Sequence, residues 1–99
     1  MNQIETNLKK ALAEAAKKAF DTEVEIEKIV IEIPKDKSHG DYSTNLAMQL
    51  TRFLKNNPRV IAEALQQNLD MEAAAIEHCE IAGPGFLNFK IKNTSLAQI

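Results

Sequence analysis

The sequence lacks the features that mark several large classes of protein. Its 99 residues include one cysteine, Cys79, so no internal disulfide can form and a disulfide-stapled scaffold is excluded. The longest apolar runs are far too short to span a bilayer. The N-terminus lacks a basic start followed by an apolar block, so no signal peptide is predicted. We therefore expect no membrane partner and a cytoplasmic location, where a lone cysteine stays reduced.

An excess of basic residues is also missing. Twelve Lys and Arg residues stand against fourteen Asp and Glu residues, which gives a formal net charge of −2. This balance counts against a generic DNA or RNA binder, because such domains are usually basic. Any RNA contact must then use a local patch and depend on shape. The cations gather in three places: Lys35 with Lys37, Arg52 with Lys55 and Arg59, and Lys90 with Lys92.

The remaining composition is that of one small globular domain covering residues 1–99. Hydrophobic residues make up 44% and charged residues 26%, and there is no repeat, low-complexity run or linker. Apolar residues at three- and four-residue steps predict a helix over Gln3–Phe20. Alternating isoleucines predict a strand over 28–33, closed by Pro34, which cannot donate to a ladder.

Two more helices and a hairpin complete the predicted fold. Asp41 or Ser43 is expected to cap a second helix, while Asn57 and Pro58 are expected to begin a third. Residues 71–75 could add a short helical turn, and Asn93–Ser95 could start another helix. Strands over 76–82 and 86–91 flank a Gly-Pro-Gly turn. The sum is an α+β domain with helices on one face of a small, mostly antiparallel sheet. The second helix is expected to bury Leu46, Ala47, Leu50, Phe53 and Leu54.

The last strand carries the strongest pattern with a functional interpretation. Successive side chains on a strand alternate between faces, so Leu87, Phe89 and Ile91 share an apolar face. The opposite face holds an aromatic ring, an amide and two ammonium groups. A ring can stack on a nucleobase, an amide can contact a base edge, and a lysine can meet a phosphate. The alternative is an ordinary solvated sheet face. The residues concerned are Phe86, Asn88, Lys90 and Lys92.

The loop before the second helix permits an acid–base interpretation that nothing else supports. His39 and Asp41 lie close together, but no nucleophile or glycine-rich phosphate loop completes a catalytic site. A structural role is the better prediction. Gly40 then permits the turn, Asp41 caps the helix, Tyr42 packs its ring, and His39 forms a hydrogen bond or faces solvent.

Metal binding is not predicted either. His78 and Cys79 are adjacent, so on a strand their side chains point in opposite directions. Tetrahedral zinc usually needs four ligands at organised spacing, which this chain does not offer. Cys79 is expected to be a small buried hydrophobe.

Two segments resemble a known family when they are taken together. Residues 34–47 (PKDKSHGDYSTNLA) and 82–89 (AGPGFLNF) resemble the N-terminal additional domain of arginyl-tRNA synthetase. The order of elements between them also matches, and the resemblance runs from the first helix to the last strand. It implies an RNA-contacting appendage that is a fragment of a larger class I synthetase, inactive by itself.

The resemblance also implies what the parent protein does. The parent would join arginine to its tRNA through an adenylate, using ATP with magnesium in a catalytic domain of the same polypeptide. Neither of the two ATP signature motifs of that domain occurs in these 99 residues, so no cofactor is expected in this fragment.

Specific residues follow from the same resemblance. The N-terminal domain of the family reaches the D-loop at the outer corner of the tRNA. Phe86 would be the stacking or wedging ring and Asn88 the base-reading amide. Gly83 occupies a place where some relatives offer a polar side chain. The rival hypothesis is a small α+β module that docks a protein partner on the face that carries Phe86.

Overall fold

The described part of the chain folds into three helices and a three-stranded sheet. The computed structural model describes residues 3–92, apart from the side chain of Lys37. In chain order the elements are α1 (Gln3–Phe20), β1 (Tyr42–Thr44), α2 (Leu46–Leu54), α3 (Pro58–Gln67), β2 (Ile76–Ala82) and β3 (Phe86–Ile91). Short 3-10 turns occupy Ile26–Lys28 and Lys37–His39. No helix within this part of the chain is both long and apolar enough to cross a membrane.

The helices form where their apolar spacing predicts them. The inward stripe of α1 is buried at Leu8, Leu12, Ala15 and Ala16. The start of α3 is confirmed, because the Asn57 side chain accepts a hydrogen bond from the Arg59 backbone N–H at 2.8 Å and Pro58 takes the first helical position.

The sheet is antiparallel with β3 in its centre, which confirms the α+β fold. The strand order is β1-β3-β2, and Phe89 faces Tyr42 on one side and Cys79 on the other. Both α2 and α3 pack on β3. Leu87, Phe89 and Ile91 are completely buried beneath them, so the predicted facing of this strand is correct.

A β-bulge explains the mixed pattern of β2. The register shifts between Ile76 and His78, leaving Glu77 as an extra residue opposite β3. Alternation therefore restarts after Glu77, and Cys79 points into the core with only 6% of its surface exposed. The burial predicted for this cysteine is confirmed. On the outer edge of β2, Gln66 Nε2 donates to the Cys79 carbonyl at 2.6 Å.

The strand predicted over 28–33 is wrong. After the 3-10 turn the chain is extended but makes only one bridge to the sheet, between Glu32 and Ser43. The reason is that the neighbouring strand, β1, is three residues long and offers little to pair with. Ile29 is buried, whereas Ile33 is 72% exposed, so the isoleucines do not share one buried face.

Two predictions about α2 also need correction. Phe53 is 76% exposed and lies outside the buried stripe. The helix is not capped by Asp41 or Ser43. Instead, Thr44 Oγ1 accepts from the Leu46 backbone N–H at 3.3 Å, and Asn45 at the cap position makes no side-chain capping bond. The cap was predicted too early in the chain because residues 42–44 form β1, and the helix starts only after them.

Two further predictions concern the second half of the chain. Residues 71–75 form hydrogen-bonded turns rather than a helix, with the Ile76 N–H donating to the Met71 carbonyl at 2.8 Å. The helix start predicted at Asn93–Ser95 lies outside the described residues.

Candidate nucleic-acid interface

The Gly-Pro-Gly turn packs against the first residues of α3. Gly83 and Gly85 have φ values of +56° and +144°, in the region that favours glycine. A Cβ added at Gly85 would lie 3.1 Å from both the Cβ and the carbonyl oxygen of Pro58. A side chain at Gly85 would therefore be tight against Pro58 as well as strained by the positive φ, so glycine suits the close approach of the turn to the helix.

Gly83 lies between an aromatic ring and an arginine. A Cβ added at Gly83 would be 3.7 Å from the Phe86 ring, an ordinary contact distance. Arg59 Nη1 donates to the Gly83 carbonyl at 2.7 Å. The turn thus places Phe86 and Arg59 at the same end of the hairpin, although they are far apart in sequence.

A shallow pocket opens on the face of the sheet opposite the core. Its volume is about 340 Å³, and Asn88 and Lys90 of β3 lie in it beside residues of β2 and of the 38–40 loop. The loop partly covers this face, which was expected to be open. The complete lining is Ser38, His39, Gly40, Glu77, His78, Glu80, Asn88 and Lys90.

Asn88 is more enclosed than its position on a sheet surface suggests. Only 7% of the residue is exposed, because Ser43 and Glu80 flank it in the register and the loop lies above. None of the hydrogen bonds among the described residues uses its side-chain amide. The amide therefore lines the pocket, and its N–H donors and carbonyl acceptor form no hydrogen bond with the described residues.

Each lysine of β3 and its continuation lies near a carboxylate. Lys90 Nζ is 3.9 Å from Asp41 Oδ2, and Lys92 Nζ is 3.5 Å from Glu72 Oε1. With Glu77 and Glu80 also in the lining, the pocket has no surplus of positive charge. Such surface pairs are weak, but they reduce the potential that a phosphate would meet.

The 36–42 loop has a structural part in this site. The Ser38 backbone N–H donates to the Asp36 carboxylate at 2.9 Å, and this bond lowers the pKa of Asp36. Gly40 has a φ of +93° and lies directly on β3. A Cβ added there would be 2.6 Å from the Phe89 carbonyl oxygen. The His39 side chain is exposed, and Tyr42 is buried at the edge of the core.

Asp41 extends the sheet instead of capping α2. Its backbone N–H donates to the Phe89 carbonyl at 2.8 Å, and its Oδ2 accepts from the Ile91 N–H at 2.9 Å. The carboxylate thus occupies the ladder position that precedes β1 in the chain. Asp41 connects the loop to β3 by both its backbone and its side chain.

Neither the cysteine near this region nor its His and Glu side chains form a reactive or metal-binding group among the described residues. Burial raises the pKa of the Cys79 thiol to about 12, so the reactive thiolate is disfavoured. Within residues 3–92, no three His, Cys, Asp or Glu side chains are grouped so that they could hold a metal ion.

A larger groove lies elsewhere on the surface and was not expected from the sequence. Its volume is about 930 Å³, and it runs between the 22–28 segment and α2. The exposed ring of Phe53 and the side chain of Arg52 line it. The signal in the sequence was Phe53 itself, whose place in the apolar stripe made it look like a core residue.

The fold and the site together define a small α+β domain whose hairpin carries a ring and an unused amide, with an arginine of α3 bound to the hairpin turn. The comparisons with known proteins are specific about its family. The model of the arginyl-tRNA synthetase N-terminal domain matches residues 2–91, and the chain belongs to that family.

Curated relatives agree with this membership. The chain is 48% identical to "Arginine--tRNA ligase" of Bacillus licheniformis and 46% identical to "Arginine--tRNA ligase 1" of Halalkalibacterium halodurans. Each match covers 100% of this chain but only 18% of the relative. The chain therefore spans less than a fifth of the length of these relatives.

Solved structures show the same fold. The arginyl-tRNA synthetase of Plasmodium falciparum matches with a TM-score of 0.78 at 19% identity, over 97% of this chain and 17% of that one. The Thermus thermophilus enzyme matches with a TM-score of 0.68 at 25% identity, over 90% of this chain and 14% of that one.

Proposed function

We propose that this domain binds the outer corner of arginine tRNA at the D-loop, as part of an arginine–tRNA ligase that attaches arginine to tRNA with ATP. The domain performs no catalysis. ATP, its magnesium and arginine bind in the catalytic domain of the same polypeptide, outside this chain. The location is the cytoplasm, where the tRNA is found.

The observation that carries the proposal is the Asn88 amide. Asn88 as a residue is only 7% exposed, and its side-chain amide lines a pocket and makes no hydrogen bond among the described residues. Such an amide suits a ligand with a matching polar edge. An unstacked nucleobase is such a ligand, because it offers donors and acceptors in one plane.

Phe86 supplies the second part of the interaction. Its ring lies on the same strand face, two residues before Asn88, and is only partly buried. A loop base can stack on this ring while its edge reaches the amide. Gly83 carries no side chain that could cover this ring, although a Cβ there would lie within 3.7 Å of it.

The experiment measures affinity for arginine tRNA and for an unrelated tRNA in the full-length ligase. Phe86→Ala should remove one stacking contact and weaken binding of arginine tRNA by about 1–3 kcal/mol. Asn88→Ala should have a similar or smaller effect that depends on one D-loop base, which substitution of each loop base in the tRNA will identify.

Phe53→Ala is the matched control, because it removes an equally large exposed ring from a different surface. It should leave tRNA affinity unchanged. If neither Phe86→Ala nor Asn88→Ala alters affinity, and both RNAs bind equally, the RNA interface is wrong. Loss of a protein contact in the Phe86→Ala variant would then favour the rival function of protein docking.

A further inference from the structure

An RNA interface needs positive charge, but the two lysines of β3 and its continuation are each paired with a carboxylate. Lys90 and Lys92 each lie within 4 Å of a carboxylate, and the pocket lining includes two more glutamates. Since backbone phosphates contribute most of the affinity of such interfaces, a cation without a carboxylate partner should lie near Phe86.

Arg59 meets this requirement. It is exposed, and none of the ion pairs among the described residues involves it. Its Nη1 donates to the Gly83 carbonyl, and Gly83 in turn lies against the Phe86 ring. A guanidinium has five N–H donors, so several remain for a ligand.

The bond to Gly83 also orients the guanidinium before any ligand arrives. A free surface arginine loses side-chain entropy when it is immobilised, whereas this one is already held at 2.7 Å from a carbonyl. A planar donor group held in one orientation suits the oxygens of a phosphate, which it can contact through two N–H groups.

We propose that Arg59 is a phosphate-binding residue of this interface. One N–H holds the Gly83 carbonyl, and the remaining donors bind the RNA backbone phosphate next to the base that stacks on Phe86. Arg59 can serve this role only if the domain binds RNA as proposed above. The test must therefore distinguish failure of the Arg59 phosphate contact from failure of RNA binding at Phe86 and Asn88.

The test is the salt dependence of arginine tRNA affinity in the full-length ligase. Loss of one phosphate contact lowers the slope of log affinity against log salt by about 0.7–0.9. For Arg59→Gln, the affinity deficit relative to the parent should therefore shrink about threefold between 50 and 200 mM salt, values chosen to span the usual range. Arg59→Lys keeps the charge and should keep the parent slope.

Two controls make the result specific. Arg52→Gln is the same substitution at an exposed arginine of the Phe53 groove and should leave the slope unchanged. Phe86→Ala removes no charge, so it should weaken binding equally at every salt concentration. Thermal midpoints of all variants should stay within a few degrees of the parent.

The outcomes separate the two proposals. A parent-like slope in Arg59→Gln, while Phe86→Ala weakens binding, overturns the phosphate contact and leaves the base contact standing. A flattened slope in Arg59→Gln, while Phe86→Ala has no effect, supports the phosphate contact and overturns the stacking. Equal flattening by Arg52→Gln also overturns the proposal, because the charge effect is then not local to the turn.

Discussion

Phe86 and Phe89 are three residues apart on one strand, yet they should respond oppositely to truncation. Phe89 is completely buried among core residues, so Phe89→Ala leaves a cavity and should lower the free energy of unfolding by about 3–5 kcal/mol. Phe86 lies on the opposite face, and Phe86→Ala should cost much less. Denaturant unfolding of both variants checks this. A larger loss in Phe86→Ala would mean that the strand faces the other way.

Two glycines with positive φ should also differ in their tolerance of a side chain. Gly40→Ala brings a Cβ to 2.6 Å from the Phe89 carbonyl oxygen and should destabilise the domain by clearly more than about 1 kcal/mol. Gly83→Asn meets only the Phe86 ring at contact distance, and asparagine tolerates this conformation. The thermal midpoint should fall for Gly40→Ala and stay close to the parent for Gly83→Asn. Equal losses would refute the clash at Gly40.

Cys79 should be protected from thiol reagents until the domain unfolds. The thiol is buried and its pKa is about 12, so labelling at pH 8 should be far slower than in denaturant. Since folding raises this pKa, the folded state keeps a proton that the unfolded chain loses above about pH 8.5. The contribution of Cys79 to stability should therefore fall as the pH rises from there towards 12.

Cys79→Ala is the comparison for the pH effect, because it removes the titrating group. The stability difference between parent and variant should change in that alkaline window and stay constant below it. Labelling of the native protein at the rate of a free thiol would contradict the burial.

For single residues, the sequence predicted burial correctly where the alternation of side chains along a strand alone decides it. Leu87, Phe89 and Ile91 are buried as expected because β3 has a period of two and one covered face. Asn88 lies on the predicted face, but its burial was not predicted, and neither was the exposure of Phe53. Their exposure depends on what lies above them, a loop in one case and an open groove in the other, and strand or helix periodicity carries no such information.

At the scale of elements, the start of α3 is the clearest test of a local signal. Asn57 caps the helix through its own side chain, so Asn57→Ala should lower the free energy of unfolding by about 1 kcal/mol. Asn56→Ala is a suitable control, because Asn56 bonds only the adjacent Asn57 N–H outside the helix. The denaturation midpoint should fall for the first variant and change little for the second. Equal midpoints would show that the cap contributes nothing.

Loss of the Asp41 carboxylate should destabilise the end of β3 and not the start of α2. Asp41→Ala leaves the Ile91 N–H without its acceptor and should cost about 1.5–3 kcal/mol, as expected for a bond to a charged group. Asp41→Asn keeps an acceptor oxygen and should recover part of this. Amide hydrogen exchange provides the measurement, with faster exchange at Ile91 and unchanged exchange in the first turn of α2. Faster exchange in the first turn of α2 with unchanged exchange at Ile91 would instead show that Asp41 caps α2.

The helices and the hairpin were predictable because their signals are local, namely apolar spacing, an Asn-Pro start and a Gly-Pro-Gly turn. The segment 28–33 has equally strong strand propensity, yet it makes only one bridge, because a strand needs a partner and β1 is short. β1 itself was missed, since three residues between a loop and a helix give no detectable period. The Arg59 contact joins residues 24 apart and leaves no local trace.

At the scale of the whole molecule, the site draws on both halves of the chain. The 38–40 loop, β2 and β3 line the pocket, while α3 supplies the arginine at the turn. The two segments that carry the family resemblance, residues 34–47 and 82–89, both contribute to this site. What the resemblance did not provide was the burial of Asn88 or the pairing of Lys90 and Lys92 with carboxylates.

The central position of β3 has a consequence for the order in which this domain can form during synthesis. Both of the other strands pair with β3 and not with each other, and among the described residues β3 is the last of the three in the chain. A nascent chain that ends before Phe86 therefore has helices but no partner for either strand. Stalled chains ending at residue 85 should be digested readily by protease, whereas chains with residues 1–99 outside the ribosome should resist it. We therefore expect the domain to complete its sheet as one unit, late in its own synthesis.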